Sequence, residues 1–405
     1  MQEIGIRQAR VFLAIADSLS VTRAAKTLNR SQTSVTKSLH DLETQLGVKL
    51  FDRSSKGVSL TAFGECLLAR AREAAESFAA AQELVPPVSM QQSASTARFF
   101  RMDVSDRWLD AFLAVAEYQN IAVAAEHLGL TPAAVSSSLR KLEDTLHMVL
   151  FERTPTAVVP SAFGQSLARY VKLARAHLGS ARDEIAGLQG VKRGRIVVGT
   201  LPFVRTIIVP RAITRLMEAH PYLDIATVEG PYNDLVTGLR CGDIDLVVGA
   251  LRGSASDKDL VEESILEESL AVICRAGHPL TRRKRLEWSD LLQYDWVLPR
   301  RGTPTRMRFE RTVGQSGYAG PAHVVETSSL VMVRGLLLES DRVTVLSRHQ
   351  VLFEEQAGLL AALPFELRGT ERPLGITRRR IGTLSPAASL FADEVRRAAA
   401  DFAQD

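Results

Sequence analysis

The sequence predicts a multidomain chain: two tandem helix-turn-helix heads followed by an α/β region. Three observations carry that reading. A length of 405 residues exceeds what one small core organises and suggests two to four domains. The stretch Arg7–Leu67 overlays Arg107–Leu167 at one constant offset, without a gap, and about 22 of 61 aligned positions are identical. From Arg195 onward, strand-like and helix-like patterns alternate, which argues for βαβ units and a mostly parallel sheet.

Composition narrows the class. With 46% hydrophobic and 24% charged residues the chain reads as a soluble globular protein. No apolar run approaches the roughly 20 residues of a membrane span, so no membrane partner is expected. The N-terminus MQEIGIRQAR carries no apolar core of a secretory signal, and the expected compartment is the cytoplasm. Cys66, Cys241 and Cys274 are scattered without metal-ligand or redox spacing and read as buried thiols. No metal and no cofactor is expected. A net charge of +4 permits a polyanionic partner without demanding one.

In the first repeat (1–60), Phe12, Leu13 and Ala16 fall at helical spacing, giving a helix over roughly 7–17. Ser20 is placed to cap a short second helix that turns Ala24, Ala25 and Leu28 inward. Asn29 and Arg30 make a turn, and Ser31 caps a third helix with Val35, Leu39, Leu42 and Leu46 on one face. Two helices joined by so short a turn form a helix-turn-helix. Gly47 stops the third helix, and Val48–Leu60 reads as a β-wing tipped by residues 54–57.

A recognition helix presents hydrogen-bonding side chains from its first turns to the major groove. Here Gln32, Thr33, Thr36 and Lys37 point outward behind Ser31. Gln can bond adenine bidentately, and a Thr methyl can meet a thymine methyl. Arg53 and Lys56 on the wing suit backbone phosphate or the minor groove. A helical bundle with a polar solvated face is the plain alternative.

The run from Phe12 through Ala24-Ala25, Leu28, Ser31-Gln32, Val35-Thr36-Lys37, Leu42-Glu43, Leu46-Gly47-Val48, Leu50-Phe51, Arg53 and Gly64 resembles the N-terminal winged helix-turn-helix of LysR-type transcriptional regulators. The second repeat (105–160) resembles the same module, and the likeness extends over nearly all of the chain. It implies that Gln32, Thr33, Thr36, Lys37 and Arg53 contact operator DNA. Thr33 stands where the family usually has Pro, which bears on base preference.

Residues 61–84 carry apolar side chains at helical intervals, a long amphipathic helix of about 33 Å at 1.5 Å per residue. In the family this is the linker helix through which two chains pair. Pro86-Pro87 ends it, and 86–104 is expected to be a flexible linker. A second linker helix is expected over 161–190. The second repeat keeps the fold-determining residues and loses the DNA-facing ones: Gln32, Thr33 and Lys37 become Pro132, Ala133 and Ser137. Over 23–57 there are 7 basic and 3 acidic side chains; over 123–157 there are 3 and 4. Phosphate neutralisation dominates duplex affinity, so the first head is the better reader. Ser136, Ser137, Arg140 and Arg153 are left for weaker contacts. A head that only scaffolds is the alternative, and pairing of the two linker helices within one chain is the sharper expectation.

In 193–405 the strands are expected at 195–199, 223–229, 244–249, 343–346, 362–365 and 374–377, and the helices at 208–220, 232–241, 289–294, 305–317, 329–339 and 386–402, with a new strand set starting over 264–275. The resemblance, with GDIDLVVG, GHPL and WSDLLQYDWVLP as signatures, implies a two-subdomain effector domain like periplasmic solute-binding proteins. Subdomain I would take 193–265 and 366–405, and subdomain II 266–365. A weaker likeness joins this half to the subgroup of galactose-binding-protein regulators. Ligands of such folds sit at strand ends and helix N-termini. Candidates are Thr200, Leu201, Gly249, Ala250, Thr303, Thr305, Thr327 and Ser328, for a sugar or small organic acid; ordinary N-capping is the alternative for each hydroxyl. Arg205 and Arg301 are further candidates, and the 282–285 run RRKR reads as a solvated loop.

Two other functions compete with an effector-responsive transcription regulator that would self-associate and engage RNA polymerase. An enzyme or small-molecule receptor would use the α/β region alone, but no HExxH, GxSxG, GxxxxGK[ST] or GxGxxG stands in a suitable context. A purely structural oligomeriser leaves the cap, polar face and basic wing of the first repeat without a reason.

Overall fold

The structure, a computed structural model, describes residues 3–54, 57–86, 94–154, 157–190, 194–253 and 258–404, without the side chains of 53, 54, 57, 153 and 404. The first head is α1 (Ile6–Ser18), α2 (Val21–Leu28), α3 (Gln32–Leu46), β1 (Phe51–Ser54) and β2 (Gly57–Leu60). Ser20 accepts a hydrogen bond from the Arg23 amide and Ser31 from that of Ser34, so both helix starts are capped by the residues the sequence marks. Gly47 ends α3 at φ +70°, a backbone position costly for other residues. The same series returns as α6 (Asp106–Tyr118), α7 (Ile121–His127), α8 (Pro132–Leu146), β3 (Phe151–Arg153) and β4 (Val158–Pro160).

The recurring residues acquire physical reasons. Phe12 packs on Phe51 with ring centres 5.4 Å apart, and Phe112 on Phe151 at 5.7 Å. Buried Glu43 accepts from the Leu50 amide at 2.9 Å, and Glu143 from the Leu150 amide at 2.8 Å. Each carboxylate thus satisfies the backbone where the chain enters the wing. A Cβ on Gly64 would lie 2.1 Å from the Leu50 carbonyl oxygen, and one on Gly164 2.2 Å from that of Leu150. Only glycine lets the linker helix pass so close to the wing.

Two long helices follow the heads, α4 (Ala62–Gln82) and α9 (Ala162–Leu188). They pack on each other within the chain. Leu67, Ala71, Ala74, Phe78 and Ala81 share one core with Leu167, Val171, Ala174, Leu178 and Ile185. Arg70 meets Glu184 while Glu73 meets His177, so the helices run antiparallel.

The expected flexible linker over 86–104 is corrected in its second half; its residues 87–93 lie outside the described ones. Ala94–Phe100 is a helix, α5, between α4 and α6. Phe99, Phe100, Met102 and Val104 are buried, and Phe99 stacks on Phe78 at 5.6 Å. Burial of two adjacent aromatics outweighs the polar composition that suggested disorder.

The C-terminal half holds two five-stranded sheets. Sheet one has the order β6 (Leu223–Glu229), β5 (Gly194–Thr200), β7 (Leu246–Ala250), β14 (Arg372–Arg379), β8 (Leu260–Glu268). Sheet two runs β11 (Val324–Glu326), β10 (Trp296–Leu298), β12 (Val343–Ser347), β9 (Leu270–Arg275), β13 (Leu360–Glu366). The helices α10 (Ile208–Ala219), α11 (Tyr232–Cys241), α13 (Pro304–Gln315), α14 (Leu330–Leu338) and α16 (Pro386–Gln404) accompany them; α12 (Trp288–Leu291) and α15 (Leu352–Gln356) are short. The mostly parallel sheet is corrected to a mixed one. β14 and β8 pair antiparallel beside three parallel strands, and β9 and β13 do so in the other sheet. The reason is topological: the chain crosses between sheets at 268–270 and again at 366–372, so each sheet receives returning strands. Among the described residues no helix is long and apolar enough to cross a membrane, and no three His, Cys, Asp or Glu gather as metal ligands.

Candidate nucleic-acid interface and effector cleft

The outward face of α3 is assembled by its cap and its inward leucines. Val35, Leu39, Leu42 and Leu46 hold the helix to the core, which leaves Ser31, Gln32, Thr33, Thr36 and Lys37 all exposed. Around them Arg23, Lys26 and Lys49 are exposed, Lys49 with Glu43 at 2.7 Å. This is a hydrogen-bonding strip within a basic frame. Lys56 lies outside the described residues, as do the side chains of Arg53 and Arg153; the backbone of Arg53 pairs with Val58 in the wing.

The corresponding face of α8 is different in kind. Pro132, Ala133 and Ser137 are exposed, while Ser136 is half-buried and lines a cavity of about 50 Å³ beside Leu139 and Phe151. Val123 and Val149 stand exposed where the first head has Arg23 and Lys49. Arg140 is exposed as well.

One charge of the first head is diverted from its surface. Asp103, after α5, sits 2.8 Å from Arg10, 3.5 Å from Arg30 and 2.9 Å from Arg98. Burial favours the neutral acid, yet Arg98 and Arg10 hold this carboxyl below the usual range. The repeat has Leu130 where Arg30 stands, packed against the head's core. The two heads also touch directly. The Ile6 amide donates to Asp106 Oδ1 at 2.8 Å, and burial pushes that carboxyl upward. Residues 6 and 106 are equivalent positions of the repeat, and the α4–α9 pairs centre on equivalent positions near 75 and 175. Contacts between equivalents mark a local two-fold axis, as in an isologous dimer.

Below that axis the helix pair grips the C-terminal half on one side. Arg70, 3% exposed, donates to Glu184 and to the carbonyls of Thr383 and Leu384. Glu73 accepts from the Thr383 amide at 3.1 Å and lies 3.0 Å from His177. Burial raises the Glu73 carboxyl, but hydrogen bonds from His177 and Arg70 outweigh it and hold it at about 2. Cys66 points at Glu184, and burial followed by that contact pushes its thiol up to about 12; burial does the same for Cys274. Neither is a reactive thiol. Cys66 and Cys241 are half-buried rather than fully buried, and Cys274 is buried.

In the α/β half the candidate effector residues divide. Thr200 is buried, its hydroxyl accepting from Arg205 Nε at 3.1 Å; Arg205 also meets Glu229, so both are engaged internally. Leu201 is a core residue, and a Cβ on Gly249 would lie 2.4 Å from its own Cβ, which explains that glycine. Ala250 is half-buried. Thr303 donates to the Arg300 carbonyl, and Thr327 accepts from the Ser329 amide, which are turn roles; Ser328 is exposed. Thr305 is the member drawn into a charged cluster. It accepts from Arg372 at 3.1 Å, and the Arg372 guanidinium lies 3.4 Å over the Phe203 ring. Arg372, 2% exposed, stands 3.7 Å from Glu268, which lies 2.8 Å from His349. Burial pushes Arg372 down to about 10, with Glu268 acting the other way. Arg372 Nε and both Glu268 oxygens make no hydrogen bond. These residues sit on β8, β14, the first turn of α13 and the short segments at Phe203 and His349, so the cluster marks the crossover between the subdomains. Sequence reasoning missed it, because its members are spread along the chain from Phe203 to Arg372. Arg282, Arg283, Lys284 and Arg285 are exposed, Arg283 with Asp290.

A DNA-reading helical head joined by a long helix to a two-sheet ligand-binding half defines a class of bacterial transcription regulator. The family described as bacterial regulatory helix-turn-helix protein, lysR family, matches residues 6–65 and again 107–165, and the LysR substrate binding domain matches 189–400. The chain belongs to the LysR family and is a DNA-binding transcriptional regulator with an effector-binding C-terminal domain. It is 36% identical to the HTH-type transcriptional regulator GalR of Pseudomonas putida over 383 residues, 95% of this chain and 94% of that protein. The two are therefore of nearly equal length. Against GbpR of Azospirillum brasilense identity is 31%, over 72% of this chain and 85% of the relative. A full-length OxyR variant from Pseudomonas aeruginosa superposes with a TM-score of 0.55 at 23% identity, covering 73% of this chain and 95% of that one. CbnR complexed with its target DNA gives 0.52 at 20% identity, covering 72% and 99%. These two structures show the shared fold.

Proposed function

We propose that the chain carries a duplicated winged helix-turn-helix and reads an operator chiefly with its first head. Ser31, Gln32, Thr33, Thr36 and Lys37 meet base edges and adjoining phosphates, while Arg53 and Lys56 anchor the wing on the backbone. Ser136, Ser137 and Arg153 of the second head add weaker, mostly sequence-independent contacts. The observation that carries this reading is the antiparallel α4–α9 pair, with Ile6 against Asp106. It supports one polypeptide standing in for the DNA-binding half of a dimer, with unequal half-sites.

The C-terminal half, two periplasmic-binding-protein-like subdomains over 193–265 with 366–405 and over 266–365, takes a sugar or small organic acid in the cleft. Thr200, Leu201, Gly249, Ala250, Thr303, Thr305, Thr327 and Ser328 border that cleft, and the Arg372–Glu268 cluster supports a polar ligand at its base. An effector acts only if it binds two arrangements of the subdomains with different affinity. The Arg70–Glu73 grip on 383–384 supports a path from cleft to heads. Apolar side chains exposed at both sheet edges, Tyr222 and Val228 on one and Val324 and Val325 on the other, support self-association of chains. The setting is the cytoplasm, with RNA polymerase as the further partner, and the role is regulatory rather than enzymatic.

A salt-titrated gel-shift tests the first head: Lys37→Ala should weaken specific binding and flatten the salt dependence. Footprinting beside solution mass tests the pairing, since one chain should protect two adjacent half-sites. Protection that needs two chains per half-site pair would overturn it.

A further inference from the structure

We propose a second small-molecule site, outside the cleft, that takes a compact anion: a carboxylate or a phosphate. A cavity of about 420 Å³ lies between α13, the edge strand β11 and the 319–322 turn. That volume is in the range of small-ligand sites. None of its lining residues comes from the first sheet's subdomain, so it is not the cleft between the two.

Its chemistry is set by two arginines. Arg306 is 5% exposed, in the first turn of α13, and donates through Nε to Glu310 at 2.6 Å. Its Nη1 is buried and makes no hydrogen bond. A buried guanidinium N–H left without an acceptor costs free energy, and an anion supplies the missing acceptor. Arg301, exposed at the rim, lines the same cavity. Two carboxylates also line it, Glu310, paired with Arg306, and Glu326, which accepts from the Arg301 amide at 3.4 Å. Phe309 and Val313, both buried, form an apolar floor for the body of an organic acid. Ala319, Gly320, Pro321 and Ala322 give a rim of small side chains. Arg306 follows Thr305, which holds Arg372 in the crossover cluster, so one turn of α13 serves both sites.

Titration calorimetry on the full chain with succinate, benzoate and inorganic phosphate, at constant ionic strength, tests the assignment. We expect at least one to bind once per chain, and Arg301→Gln to weaken it by about tenfold, the loss of one charge-assisted contact. Arg306→Gln should weaken it further, and Arg282→Gln, at a residue that does not line the cavity, should leave it unchanged. If Arg306→Gln fails to fold, the exposed Arg301→Gln decides alone. Which probe binds separates an organic acid from phosphate. Binding by none of the three, or affinity indifferent to Arg301→Gln, overturns the proposal. So does a change of solution mass in Arg301→Gln without anion binding, which would make the cavity a contact between copies.

Discussion

The first and second heads share a scaffold down to the glutamate that caps the wing entry and the glycine beneath it, yet their outer faces have diverged. On the first, polar side chains stand in a basic frame; on the second, Val123, Pro132, Ala133 and Val149 occupy the corresponding places. The difference teaches that packing and recognition are separable layers of one sequence. Core positions answer to the neighbouring helices, which are the same in both copies. Surface positions answer only to what they face, so they are free to change while the core stays the same.

The widest gap should open at the recognition helices. Replacing Gln32 or Lys37 with Ala should cost about 1–3 kcal/mol of specific binding, read by gel shift at fixed salt. Ser137→Ala serves as the matched control; equal losses in the two heads would abolish their ranking, and a larger loss at Ser137 would reverse it. Next comes the grip of Glu73 on the C-terminal half. Glu73→Gln should cost on the order of 2 kcal/mol near neutral pH, after discount for its partial exposure. The carboxyl is held at about 2 in the folded chain, below its ordinary range, so its contribution is present above roughly pH 4.5. As pH falls toward 2 the contribution is lost, and melting curves of variant and wild type should converge.

A smaller effect should come from restoring charge to the second head. Glu126→Lys with Val149→Lys should steepen the salt dependence of binding by up to about two phosphate contacts. An unchanged slope would mean that this head stays clear of the duplex. Smallest of all, Arg30→Leu copies the second head's residue into the first. Arg10 still faces Asp103, so the melting temperature should move by the equivalent of about 0.5–1 kcal/mol at most.

Much of this was legible in the residues. Ser20 and Ser31 announced their caps, and the helix Tyr232–Cys241 and strand Leu223–Glu229 fall at the boundaries their patterns set. Local signals of that sort suffice where one element's own spacing decides its fate. The strands Trp296–Leu298 and Val324–Glu326 went unseen because three residues are too few for an alternation to register. Strand direction was misjudged because it depends on where the chain returns, not on any local pattern. The helix Ala94–Phe100 hid behind a Ser- and Gln-rich approach, its order coming from Phe78 on a distant helix. In the effector half, the contact of Thr200 with Arg205 and the packing of Leu201 in the core are tertiary, and no local pattern declares them. Glu268, His349 and Arg372 draw no reading at all, because nothing nearby in sequence declares the burial of their side chains.

The covalent tie between the heads carries a last consequence. Where separate subunits must find each other, dilution dissolves the reader; here the partner arrives with the chain, at an effective concentration set by the short 83–105 tether. If both heads engage the operator as proposed, the pair would hold together at a few copies per cell, would need no palindrome, and would face its promoter in one direction only.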